Sequence, residues 1–152
     1  MDLLPLFGFL GACFAAASTG AIFRPGAWYE GLSKPSWRPP NRLFGPAWAV
    51  LYTLIAISAW LVWREAGLGV EIAVWAGHLA INAGWSWIFF GLRRPDLAFG
   101  WILLLWASIA ATIAAFAAVS QPAAWLLLPY LAWVSFAAAL NLAIWRRNPR
   151  AA

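Results

Sequence analysis

The run LAFGWILLLWASIAATIAAFAAV, Leu97 to Val119, holds 23 residues without one charged side chain. Wound as an α-helix it reaches about 35 Å, enough to cross a hydrocarbon layer of roughly 30 Å. A helix is favoured there because a segment in lipid must satisfy its N–H and C=O groups internally. Four further apolar runs accompany it: Leu3 to about Phe23, Phe44 to Trp63, Ile72 to Phe90, and Ala123 to Trp145. The two-residue alternation that a transmembrane barrel needs is absent. The reading is all-α, an integral membrane bundle of five transmembrane helices, with residues 1–152 as one domain. Only Met1 and Asp2 precede the first run, without the basic start of a signal peptide, so it is kept as a helix of the mature protein.

Composition agrees. Charged residues make up 10% of the chain and apolar ones 64%, where soluble domains carry about 25% charged. A domain of 152 residues cannot hide that apolar excess from water, so lipid must cover it. The net charge of +5 is a topology signal, not a mark of nucleic-acid binding. Five spans gather Arg24, Lys34, Arg38, Arg42, Arg93, Arg94, Arg146, Arg147 and Arg150 at one end and leave Arg64 at the other. The positive-inside rule then puts the first loop and the C-terminus in the cytoplasm, provided that the host is a bacterial inner membrane. Nine Arg to one Lys, with abundant Ala and Trp, is the coding bias of a GC-rich bacterial genome.

Three links are short: Arg64 to Val70, Gly91 to Asp96, and Ser120 to Pro122. They set neighbouring helices antiparallel. Residues 24–43 differ. Pro25, Pro35, Pro39 and Pro40 stiffen this loop, and Trp28, Tyr29 and Trp37 make it aromatic, a composition that favours a functional segment over disorder.

Some of the 13 Trp belong at the headgroup level, where the ring is in the apolar layer and its N–H stays wet. Others fall mid-helix. Asn82, Trp85 and Phe89 stand at i, i+3 and i+7 and share one helix face. Trp133, Ala137 and Asn141 repeat the pattern at i, i+4 and i+8, and Trp48 and Tyr52 at i, i+4. An unpaired amide in hydrocarbon is costly, so Asn82 and Asn141 should point into the bundle. Such faces either glue helices together or wall a flat, mostly apolar pocket for a rigid planar ligand. Ala76, Ala80 and Gly84 form a small-residue run that allows close helix approach, within the chain or in a homodimer. Pro129 should bend the fifth helix.

Catalytic and metal motifs are scarce. Asp2, Glu30, Glu65, Glu71 and Asp96 are terminal, in loops or at helix ends, so no mid-membrane carboxylate serves a proton relay. Cys13 and His78, each the sole residue of its type, lie on different helices and make neither a disulfide nor a metal site. No cofactor is expected.

The segment Trp28-Tyr29-Glu30-Gly31-Leu32-Ser33-Lys34-Pro35-Ser36-Trp37-Arg38-Pro39-Pro40 leads into Gly45-Pro46-Ala47-Trp48 and Leu51-Tyr52. Further on come Asn82, Trp85 and Ile88-Phe89-Phe90-Gly91, then Pro129-Tyr130-Leu131-Ala132-Trp133, Phe136, Leu140-Asn141 and Trp145-Arg146. Together these motifs resemble the tryptophan-rich sensory protein and translocator protein family over essentially the whole chain. The resemblance implies a five-helix bundle, usually dimeric, whose first loop lids a pocket open toward the cytosolic side. It implies tetrapyrrole ligands, protoporphyrin or haem, and benzodiazepine-site compounds, with Trp37, Trp48, Tyr52, Asn82, Trp85, Trp133, Ala137 and Asn141 lining or covering the pocket. For some members it also implies light- or oxygen-dependent porphyrin breakdown, in which Trp48 and Trp133 would act as redox partners. Eukaryotic members bind cholesterol, but Leu142 stands where the proposed sterol motif has Tyr, which counts against sterol binding by that route.

Overall fold

The computed structural model describes residues 2–23, 26–39 and 41–149. Arg24, Pro25, Pro40 and Arg150, which entered the charge and loop readings, lie outside the described residues. Helices α1 (Leu4–Ile22), α3 (Asn41–Ala66), α4 (Val70–Ser86), α5 (Pro95–Ala117), α6 (Gln121–Leu126) and α7 (Leu128–Arg147) build the bundle, and α2 (Ala27–Glu30) is a single turn in the first loop. No strand occurs among the described residues.

Three stretches are long and apolar enough to cross a membrane: Arg42–Ala66, Pro95–Ala117 and Gln121–Arg147. Leu4–Gly20 is apolar but shorter. The third expected span is cut differently from its reading, because α4 stops after 17 residues and passes into a π turn over Trp87–Gly91. That length, with His78 and Asn82 inside it, takes α4 out of the set that qualifies by length and hydropathy. The described helices therefore support an all-α membrane-type bundle without by themselves giving five crossings.

Turn chemistry sets the ends. Gly67 takes a left-handed φ of 69° after α3, where a Cβ would be strained, and its N–H bonds the Trp63 carbonyl at 2.8 Å. The Ser120 hydroxyl accepts from the Ala123 N–H at 3.3 Å and caps α6, so Pro122 starts a helix instead of belonging to a link. The bend expected from Pro129 is a break in the turn before it. The chain breaks at Leu127, and Pro129 sits in the first turn of α7, where its missing N–H costs nothing. Within the expected loop 24–43, residues 27–30 and 41–43 are helical.

The helices close a ring in which α1 packs on α3 and α4, α4 on α5, α5 on α6 and α7, and α3 chiefly on α6. Outward positions such as Leu4, Phe7, Leu103, Leu104 and Trp125 are exposed and apolar, as lipid contact requires. Inward hydroxyls are satisfied locally: Ser58 donates to the Ile55 carbonyl at 2.7 Å and Thr112 to the Ser108 carbonyl at 2.8 Å.

Candidate functional site

Asn82 projects from α4 at the place where α3 and α7 converge. Its Oδ1 accepts from the Tyr52 hydroxyl at 2.7 Å, and its Nδ2 donates to the Tyr130 oxygen at 2.7 Å. Tyr130 in turn lies 3.0 Å from His78 Nε2, and His78 Nδ1 lies 2.8 Å from the Trp75 carbonyl. A carbonyl can only accept, so Nδ1 carries the proton and Nε2 accepts from Tyr130. The result is one directed chain, Tyr52 to Asn82 to Tyr130 to His78, binding three helices. Asn141 performs the second junction: its Oδ1 accepts from Trp85 Nε1 at 3.0 Å and its Nδ2 donates to the Pro95 carbonyl at 2.9 Å. Both amides point into the bundle, and both are already engaged across helices.

Above these junctions the rings are loosely faced. Trp85 stacks on Phe89 with centroids 5.0 Å apart. Trp48 touches Tyr52 at 5.5 Å, and Trp133 edge-on at 6.3 Å. Between them lies a cavity of about 740 Å³ whose wall includes Trp48, Tyr52, Asn82, Trp85, Phe89, Trp133, Ala137 and Asn141. Trp37 is not part of the wall. It is half exposed on the loop and meets Phe136 at 5.6 Å, one ring out from Trp133. The Trp133 Nε1–H is buried without a hydrogen-bond partner, and such exceptions call for a reason.

The loop closes the basic end. Tyr29 is buried against Phe89 and Phe90 at 6.2 and 5.5 Å, and burial pushes its phenol above the ordinary range. Lys34 Nζ donates to the carbonyls of Tyr29, Glu30 and Leu32 and lies 4.7 Å from the Tyr29 ring centre. Asn148 at the end of α7 holds Ser33 by both backbone groups: the Ser33 N–H donates to Oδ1 at 2.9 Å, and Nδ2 donates to the Ser33 carbonyl at 2.7 Å.

Spacing missed several members. His78 and Tyr130 simply extend the marked faces, to 78, 82, 85, 89 and to 130, 133, 137, 141, and that spacing is their signal. The wall contributed by α1, through Leu10, Cys13, Phe14, Ala17 and Gly20, left little signal because its small and aliphatic residues look like any lipid helix. Among the described residues no three His, Cys, Asp or Glu side chains gather as metal ligands.

Fold and site together define an α-helical membrane protein built around a ligand-sized aromatic cavity. The chain belongs to the TspO/MBR family, which matches residues 8–146. It is 47% identical to Protein CrtK of Rhodobacter capsulatus, over 91% of this chain and 89% of that protein. It is 41% identical to the Tryptophan-rich protein TspO of Chlorobaculum tepidum, over 97% and 98%. With the Translocator protein of Homo sapiens it shares 42% identity over 95% and 90%.

Proposed function

We propose that this chain is a membrane-embedded binding protein for tetrapyrroles such as protoporphyrin IX and haem, and for benzodiazepine-site compounds, acting as sensor, regulator or carrier. The observation that carries the proposal is the cavity of about 740 Å³ walled by Trp48, Trp85, Phe89 and Trp133. It falls within the volume range of small-molecule sites and offers stacking faces with few polar groups. Because the amides of Asn82 and Asn141 are engaged, their part is to hold the aromatic wall in place. The proposal includes five crossings, the basic end in the cytoplasm of a bacterial host, and a homodimer using the exposed Ala76 and Ala80 face of α4.

Titrating the detergent-solubilised protein with protoporphyrin IX in the dark, followed by Trp quenching, tests it. Saturable quenching is expected, with Trp133→Phe and Asn141→Ala each weakening affinity about fivefold, the loss of about 1 kcal/mol of ring contact or positioning. Quenching that never saturates, or that is the same in every variant, would reduce the effect to partition into micelles. Trp48 and Trp133, in ring contact at 6.3 Å, give a geometric basis to the second reading, Trp-dependent photo-oxidative porphyrin breakdown. Its signature is loss of porphyrin absorbance under light that disappears in Trp48→Phe.

A further inference from the structure

The cavity wall is not equally sealed around its circumference. Every wall residue from α4, α5 and α7 is buried or half-buried. The exposed wall residues outside the lid are Phe14 and Gly20 on α1 and Gly45, Ala49 and Thr53 on α3. Phe14 is 73% exposed and still borders the cavity. A residue that borders the interior while meeting the outside marks a gap between its helix and the next.

The antiparallel pair is held shut at its other end. Trp60 Nε1 on α3 donates to the Asp2 carbonyl before α1 at 3.1 Å. Toward the lid both helices carry cavity-wall residues that are exposed. The rim there is small: a Cβ built at Gly45 would meet nothing within 4 Å. It is also chemically quiet, since the Thr53 hydroxyl is spent on the Ala49 carbonyl at 2.8 Å. A rim without unsatisfied polar groups suits hydrocarbon, not water, and α3 is among the helices able to cross a membrane.

We infer that the cavity opens sideways into the bilayer between α1 and α3, and that its ligand, a flat apolar molecule dissolved in the hydrocarbon layer, loads through this slot and not past the lid. The inference rests on the binding function proposed above. The lid route requires breaking the Ser33–Asn148 pair and lifting Trp28 and Tyr29 off Phe89. The slot needs only displacement of lipid.

The test uses full-length protein in vesicles whose lipid already contains protoporphyrin IX, with loading followed by stopped-flow Trp quenching. Ala49→Leu and Gly45→Leu place bulk in open space at the rim, and melting curves confirm that they fold. Each is expected to slow loading at least about fivefold, with a similar slowing of release and so a smaller change in affinity. Asn148→Ala, which unlatches the lid, should load at the wild-type rate. Wild-type loading in both rim variants together with faster loading in Asn148→Ala would overturn the inference. If wild type itself gives no saturable signal, the binding function fails, and the slot is judged separately with lipids brominated along the acyl chain. Trp48 emission, taken as wild type minus Trp48→Phe, is then quenched in wild type and protected in Ala49→Leu if acyl chains reach the slot. Absence of quenching in wild type would show the slot closed.

Discussion

Removing the Tyr130 hydroxyl strands two buried partners at once, because Asn82 Nδ2 loses its acceptor and His78 Nε2 its donor. Removing the Tyr52 hydroxyl strands only Asn82 Oδ1. Tyr130→Phe should therefore cost about 2 kcal/mol and Tyr52→Phe about 1 kcal/mol, read as the order of melting temperatures in one detergent. Equal melting temperatures would mean that the chain of bonds is not cooperative. Tyr130 also marks where sequence reading fell short at this scale. Trp85 and Asn141 stand out because Trp and Asn are costly in lipid, whereas a Tyr one turn before a marked face looked like part of a motif. Their shared role emerges only when α3, α4 and α7 are brought together, as no spacing along one helix reports a bond between helices 48 residues apart in sequence.

Helix α4 shows what an element can hide. Its small-residue run Ala76, Ala80, Gly84 reads as one smooth face, yet the structure divides it. Ala76 and Ala80 remain outside, while Gly84 lies under Trp101, whose ring atoms would stand 3.0–3.1 Å from an added Cβ. That indole cannot easily retreat, since its Nε1 donates to the Ile81 carbonyl at 2.7 Å. Gly84→Ala should thus destabilise by about 1–2 kcal/mol despite the better helix former. Gly77→Ala, with open space at its Cβ, should be neutral or gain up to about 1 kcal/mol. A thermal-melt pair decides it, and a gain at Gly84 would remove Trp101 as the close neighbour. The apolar runs were plain in the sequence because hydropathy alone sets their length. The break at Leu127 was signalled too, by Pro129 two residues on, which cannot bond the Trp125 carbonyl; the π turn was not, because it depends on how the chain meets its neighbours and not on any residue that forbids a helix.

The whole molecule is a ring of helices held open at one end and closed over by a segment from early in the chain. Asn148→Ala should raise hydrogen exchange across residues 26–39 and leave protection of α5 unchanged; unchanged exchange in the loop would assign closure to the ring contacts of Trp28, Tyr29 and Trp37. The aromatics of the early segment need something to pack on, and what they pack on lies far downstream. The latch joins residue 33 to residue 148, 115 positions apart. During synthesis, residues 26–39 emerge long before their partner is made. A nascent chain can thread its first helices and assemble most of the wall while the top stays unfastened, and the fastening comes last. A ribosome that stops after Arg147 would release a bundle complete in every rod, its cover resting on aromatic contacts alone.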